Sequence, residues 1–263
     1  MITLFKHEMK MNIKSLLIWS LSVGLMGMIC TLMYTSMQGQ IDEMAASLAE
    51  MGAFADAFGM NTLSIATVGG FFASEVGAIH GLGSAMFAAT ISIIILSKEE
   101  DAHTAEFLFA HPFTRASIVT SKLLALVANI ILFALICTVC YIIGFAGVGA
   151  DIPMKDLMTF MGLETLMNLE IMALAFFISS ISKKNKYGAG LGIALAFYLY
   201  DIVGRVIPDF ADYTFVGPFS FANATEVFAH HDIAGKGLVV SILVLIACLA
   251  GAFVTYCRRD LAS

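Results

Sequence analysis

Apolar residues in this chain come in long unbroken runs, not in the short alternation of strands or the one-sided stripes of surface helices. Runs at residues 15–37, 77–97, 123–148, 157–182, 187–207 and 238–257 each supply the ~20 residues that a helix needs to cross a bilayer. Ahead of the first run, MITLFKHEMKMNIK sets Lys6, Lys10 and Lys14 four apart, with Ile2, Phe5, Met9 and Ile13 on another face. That pattern predicts an amphipathic helix over residues 1–14 lying on a membrane surface. A basic start followed by an apolar run also resembles a signal peptide, but the run is ~23 residues long and has no small-x-small cleavage site, so it reads as a retained span. Residues 38–76 contain no lysine or arginine; residues 41–58 are expected to form an interfacial helix, and LSIATVGGFFAS is too irregular to read as a full span.

Composition agrees with this pattern. Hydrophobic residues make up 59% of the 263 positions and charged residues 13%, against roughly 45–50% and about 25% in soluble domains. The expected fold class is an all-α integral membrane protein. A single transmembrane domain covers residues 1–263, with six transmembrane helices, an N-terminal interfacial helix and a cytoplasmic helix between the second and third spans. No soluble domain, tandem repeat or inverted half-repeat is visible.

Eleven lysines and arginines fall on the side of the two chain ends, residues 98–122 and the KKNK linker, and three fall on the other side. By the positive-inside rule both termini and residues 98–122 are expected in the cytoplasm, with the chain multi-pass in a plasma membrane. A bacterial source is expected, and no nucleic-acid partner. Cys30, Cys137, Cys140, Cys248 and Cys257 all lie in or beside apolar runs, which points to free thiols. Cys137-x-x-Cys140 has redox spacing, but such surroundings disfavour a thiolate, so packing is the expected role.

The most elaborate polar segment is KEEDAHTAEFLFAHPFTRASIVTSK, residues 98–122. A helix starting at Glu99 would carry Ala105, Leu108 and Phe109 on one side, and Pro112 would end it near Ala110. Thr114 then stands where an N-cap is wanted for the helix of the third span. The product is a rigid protrusion. It suits a groove on another protein, with aromatic anchors and charges that set register; a solvated connector between two spans is the plainer reading.

Residue identity adds a resemblance. Glu99-Glu100-x-x-x-Thr104-x-Glu106-Phe107-Leu108-x-x-x-Pro112-x-x-Arg115-x-x-Ile118-x-x-x-Lys122 resembles the cytoplasmic loop of permease subunits of type-two ATP-binding-cassette exporters. LFKHEMKMNIKSLLIW is similar to that family's opening helix and first span. Ala105, the run Phe109-Ala110-His111 and Thr114 depart from the commoner residues, and Thr114 keeps the capping hydroxyl.

The resemblance implies a coupling element that docks on a separate cytoplasmic ATPase. Glu99, Glu100 and Glu106 would cap and hold the joint, Phe107 and Leu108 would pack it, Pro112 would form its corner, and Thr104 is a further coupling position. Arg115 would bridge to acids of the joint or of the ATPase, or else snorkel at the membrane face. A second permease copy or a related permease completes the implied assembly, and the cargo would be an amphipathic antibiotic, antimicrobial peptide, drug or lipid. ATP and Mg are expected on the partner. The sequence has no Gly-x-x-x-x-Gly-Lys followed by Ser or Thr; Gly235-Lys236-Gly237 lacks the hydroxyl residue. No cofactor, metal or catalytic group is expected in this chain.

Other polar residues remain. Glu164 and Asn168 share a face of the fourth span and are candidates for a translocation path, or for an interfacial acid and an interhelical hydrogen bond. Glu170 points elsewhere. Asp201 and Arg205, four apart, read as a local ion pair. Gly77 with Gly81, and Gly188 with Gly192, offer small faces for packing within one bundle or between two copies. His230-His231-Asp232 is a weak metal candidate without a fourth ligand. Against the exporter reading stand an ion-driven transporter using Glu164 and a non-transporting scaffold or sensor.

Overall fold

The computed structural model of the protein describes residues 1–49, 66–104, 106, 113–230 and 235–258. Helix α1 (Ile2–Ala49) is a single unbroken element of 48 residues, about 72 Å long at ~1.5 Å per residue. That is over twice the roughly 30 Å of bilayer hydrocarbon. No break separates residues 1–14 from the first span, because nothing near Lys14 opposes helix and the next glycine comes only at Gly24. The face turned inward also differs from the expected one: Leu4, Glu8, Leu16 and Ser20 are buried, whereas Ile2 and Ile13 are exposed. Of the interfacial helix expected over residues 41–58, the described part simply continues α1, and residues 50–58 lie outside the described residues.

A short helix α2 (Val68–Phe71) starts on the Thr67 hydroxyl, which accepts from Gly70 N at 3.0 Å. It passes through a π-helical turn (Phe72–Val76) into α3 (Gly77–Ile94). The glycine-bearing piece that looked irregular in sequence is therefore the helical start of the second span. At the first position of α3, Gly77 serves packing, since a Cβ there would stand 2.5 Å from Ala224.

After α4 (Lys98–Asp101), the long α5 (Arg115–Val148) is capped by Thr114, whose hydroxyl accepts from Ser117 N at 3.2 Å. It ends at Gly149, where a left-handed φ of 68° suits glycine. Three more long helices follow: α6 (Met154–Ile181), α7 (Tyr187–Val206) and α10 (Gly235–Arg258).

Between α7 and α10, residues 207–230, which hold no apolar run of span length, form a packed cap. It contains α8 (Pro208–Ala211), two 3-10 turns and α9 (Ala224–His230). Phe219, Phe221 and Val227 of this cap are buried.

Among the described residues six helices are long and apolar enough to cross a membrane: Ile2–Ile41, Val68–Ile94, Arg115–Val148, Met154–Ile181, Tyr187–Val206 and Gly235–Arg258. Among the described residues all regular structure is helical. The most extensive packing is α1 on α5, followed by α6 on α10 and on α3. Small residues permit the close approach of α1 and α5: a Cβ on Gly144 would lie 3.3 Å from Met28 Cα, and one on Gly27 would lie 2.5 Å from Tyr141 Cε1. On α7 two glycines pack closely: a Cβ on Gly190 would lie 3.1 Å from Ala89 O, and one on Gly204 would meet Thr214. Gly188 and Gly192 face open space within this chain.

The aromatic core joins Phe72, Tyr141 and Phe145 to Phe228, and stacks Phe87 on Phe133 at a centroid distance of 4.9 Å. Within it His80 Nδ1 and the Tyr141 hydroxyl are 2.8 Å apart, so two polar groups at membrane depth satisfy each other. All five cysteines are free.

Candidate functional site

Two places gather charge inside this bundle. The first is the end where α3 stops. A turn at residues 95–97 frees backbone groups; Leu96 N donates to Ser179 Oγ at 3.0 Å, and Ile95 O accepts from Lys122 Nζ. Lys122 also donates to Glu99 Oε1 at 2.5 Å and lies 3.4 Å from Glu8 Oε1. Lys98 Nζ is 2.5 Å from Glu8 Oε2.

The resulting order is Lys98, Glu8, Lys122, Glu99: two acids and two bases in alternation. Lys122 and Glu8 are completely buried. Tyr256 of α10 lies within electrostatic reach of Glu8, Glu99 and Arg115, and Ser121 Oγ donates to Met1 O at 3.3 Å. The start of α1, the segment after α3 and the start of α5 are thus bound into one joint. Desolvation makes each of these charges costly alone, so removing one partner weakens the whole joint.

The helix expected over residues 99–110 is interrupted at residues 102–104, while Glu106 is helical and residues 105 and 107–110 lie outside the described residues. Helix α4 covers only Lys98–Asp101 and is closed by two backbone bonds, His103 N to Glu100 O at 3.1 Å and Thr104 N to Glu99 O at 2.8 Å. His103 takes the left-handed conformation, φ 54°. This is the Schellman termination, normally built on glycine. With histidine in that place, the sequence gives no stop until Pro112. Thr104 Oγ1 adds a bond to Glu99 O at 3.3 Å.

Of the candidate coupling residues, Glu99 holds Lys122, Glu100 is buried, Thr104 and Glu106 are exposed, and Arg115 is half-buried. Phe107, Leu108 and Pro112 lie outside the described residues, as do His231 and Asp232. Among the described residues no group of three or more His, Cys, Asp or Glu could hold a metal. Sequence reasoning missed Glu8. The available signal was a lone acid among Lys6, Lys10 and Lys14 that lies in register with Leu4 and Leu16, the face that turns inward.

The second place lies in the other half of the bundle, under the packed cap. Glu164 of α6 is 2% exposed, and its nearest donor is Ser84 Oγ at a long 3.4 Å. It faces a chamber of about 50 Å³ that is also lined by Ser74, Gly81, Asp201, Arg205 and Asn223. Asp201 and Arg205 form the ion pair expected from their spacing. Asn168 is buried on the same helix but does not line the chamber, and Glu170, equally buried, lies beside Ser241 of α10.

Six span-length helices around a core with buried charges define a multi-pass helical membrane protein. Residues 2–261 match the family described as ABC-2 family transporter protein, and the chain belongs to that family. Chains of this family are membrane subunits of transporters that generally work with an ATPase subunit. No curated protein matches the sequence.

Proposed function

We propose that this chain is the permease of an ATP-driven exporter in a bacterial plasma membrane. Both ends and residues 98–122 face the cytoplasm, and a separate ATPase docks there. In this reading ATP and Mg bind the ATPase, and a second copy or a related permease completes the channel. The cargo is an amphipathic compound or lipid leaving the cytoplasm or the inner leaflet. One observation carries the docking role beyond family membership: the segment after α3 is tied by Lys122 and Glu99 to α5, and through Lys98 and Glu8 to α1. A push on that segment is delivered to three helices together, because a joint of paired buried charges moves as a unit. Glu164 and Asn168 stay candidates for the cargo route. The chamber beside Glu164 has room for water-sized species only, so amphipathic cargo passing that carboxylate requires the helices to part.

The chain, tagged and purified from its native membrane in mild detergent, should bring with it a soluble protein that carries Gly-x-x-x-x-Gly-Lys followed by Ser or Thr. Recovery of the monodisperse chain alone would sink the reading. Arg115→Ala and Phe107→Ala should each lower ATPase recovery about fivefold or more, corresponding to a lost contact of about 1 kcal/mol, with membrane insertion intact. Equal recovery in both variants would remove these residues from the interface.

A further inference from the structure

Helices α1 and α5 start at the same end of the bundle and run side by side in the same direction. Ser121 Oγ reaches Met1 O at 3.3 Å, Asn129 Nδ2 donates to Met9 Sδ at 3.2 Å, and Cys137 Sγ reaches Ser20 O at 3.5 Å. This register sets Lys6, Lys10 and Lys14 of α1 level with the stretch of α5 between Leu124 and Leu135. The three lysines are exposed, and none has an acidic partner among the described residues. At the same level α5 leaves Leu124, Ile131 and Leu135 50%, 44% and 56% exposed. Free cations and bare apolar side chains at one depth mark the boundary between lipid headgroups and acyl chains.

Between the two helices at that boundary runs an open groove of about 740 Å³, within the ~300–1,000 Å³ of ordinary ligand pockets. Ile2 and Phe5 form one wall, and Leu124, Val127, Ala128 and Ile131 form the other. The hydroxyl of Ser121, which also lines the groove, is committed to the carbonyls of Ser117 and Met1 at 2.7 and 3.3 Å. The walls therefore offer a ligand apolar contact. Lys6 follows Ile2 by one helical turn and so borders the groove, and Lys10 stands one turn further along the same face. Glu8, the one acid before Asp42, does not offset these cations at the surface, because it is completely buried and held by Lys98 and Lys122.

We propose that this groove holds an anionic phospholipid of the leaflet that surrounds the start of α1. One acyl chain lies along the apolar walls, and the phosphate is held by Lys6 and Lys10. Both halves of the amphiphile are thereby matched, as in other basic pockets beside membrane helices. A zwitterionic lipid fills the groove equally well but leaves the charge of the lysines uncompensated. A second copy fits worse, since a twofold contact through this face sets lysines against lysines. The bound lipid clamps α1 to α5 beside the joint that Glu8 and Lys122 make between the same helices. The site stands whether or not an ATPase docks on the chain.

The test uses the full chain in mild detergent at low ionic strength, with phosphatidylglycerol, phosphatidylcholine of the same acyl chains or glycerol 3-phosphate added. Phosphatidylglycerol should raise Tm by about 2–4 °C in a saturable way, as expected for a ligand of the native state, and the other two should give less than half that shift. Lys6→Gln combined with Lys10→Gln should raise the half-saturating concentration of phosphatidylglycerol about tenfold. Ala128→Phe, which fills the groove and leaves the charge unchanged, should abolish the shift. Equal shifts with the two lipids point to a groove blind to charge, and an equal shift with glycerol 3-phosphate points to a free-phosphate site; either overturns the proposal. So does a full phosphatidylglycerol response in Ala128→Phe, and loss of a dimer in that variant alongside it would give the face to a second copy. Should Ala128→Phe not fold, an unchanged half-saturating concentration in the double lysine variant overturns the proposal equally.

Discussion

The joint at the end of α3 and the chamber under the cap both bury charge in an apolar bundle, and they do so in opposite ways. In the joint, each of four charges has a partner of opposite sign, and Lys122 takes a backbone carbonyl as well. In the chamber, one ion pair stands beside a carboxylate that has no cationic partner among the described residues. A complete set of partners makes a rigid connection between helices, because no member can leave without exposing another. The difference teaches that burial of an acid does not by itself identify its role; the count of partners around it does.

That comparison can be broken at several strengths. Glu8→Leu removes the acid shared by Lys98 and Lys122, and should cost about 3–5 kcal/mol in reversible unfolding. A loss below about 1 kcal/mol would mean that the joint is solvated and not a unit. Asp201→Asn strips Arg205, a partly exposed cation, of its partner and should cost less, about 1–3 kcal/mol; a loss equal to that of Glu8→Leu would erase the contrast between the two places.

Smaller effects sharpen the picture of the segment that the joint holds. His103→Val forces a β-branched residue into the left-handed position and should cost about 1–2 kcal/mol, whereas an unchanged Tm would mean that α4 does not stop there. Gly190→Ala presses a methyl against Ala89 O and should cost about 1 kcal/mol or more, while Gly192→Ala, which faces open space, should stay within about 0.5 kcal/mol in the single chain. Were Gly192→Ala the more damaging, that face would be covered by another copy.

Much of this was legible in the sequence. Asp201 and Arg205 sit four apart, and that local spacing fixes their pairing. The Thr114 cap follows from a hydroxyl placed just before a long apolar helix. Both are contacts within about one helical turn, where sequence distance and spatial distance agree. Glu8 with Lys122 is the opposite case: 114 positions separate them, and only the packing of α1 on α5 makes them neighbours. The short α4 was hidden for a different reason, since the Schellman turn rests on histidine where glycine is the usual marker. Cap residues 207–230 read as loop because their elements are too short to show a period.

By itself the sequence determined that this chain is a helical membrane protein with six spans and an elaborate polar segment between the second and third. Apolar run length and local motif are properties of contiguous residues. The tertiary structure alone decided which helix faces turn inward and which charges meet. It paired Glu8 with two lysines, set Glu164 against Ser84, and made Gly190 rather than its neighbours the point of contact. These outcomes depend on helix rotation and register, and a continuous apolar run leaves both open because every face of such a helix is compatible with lipid.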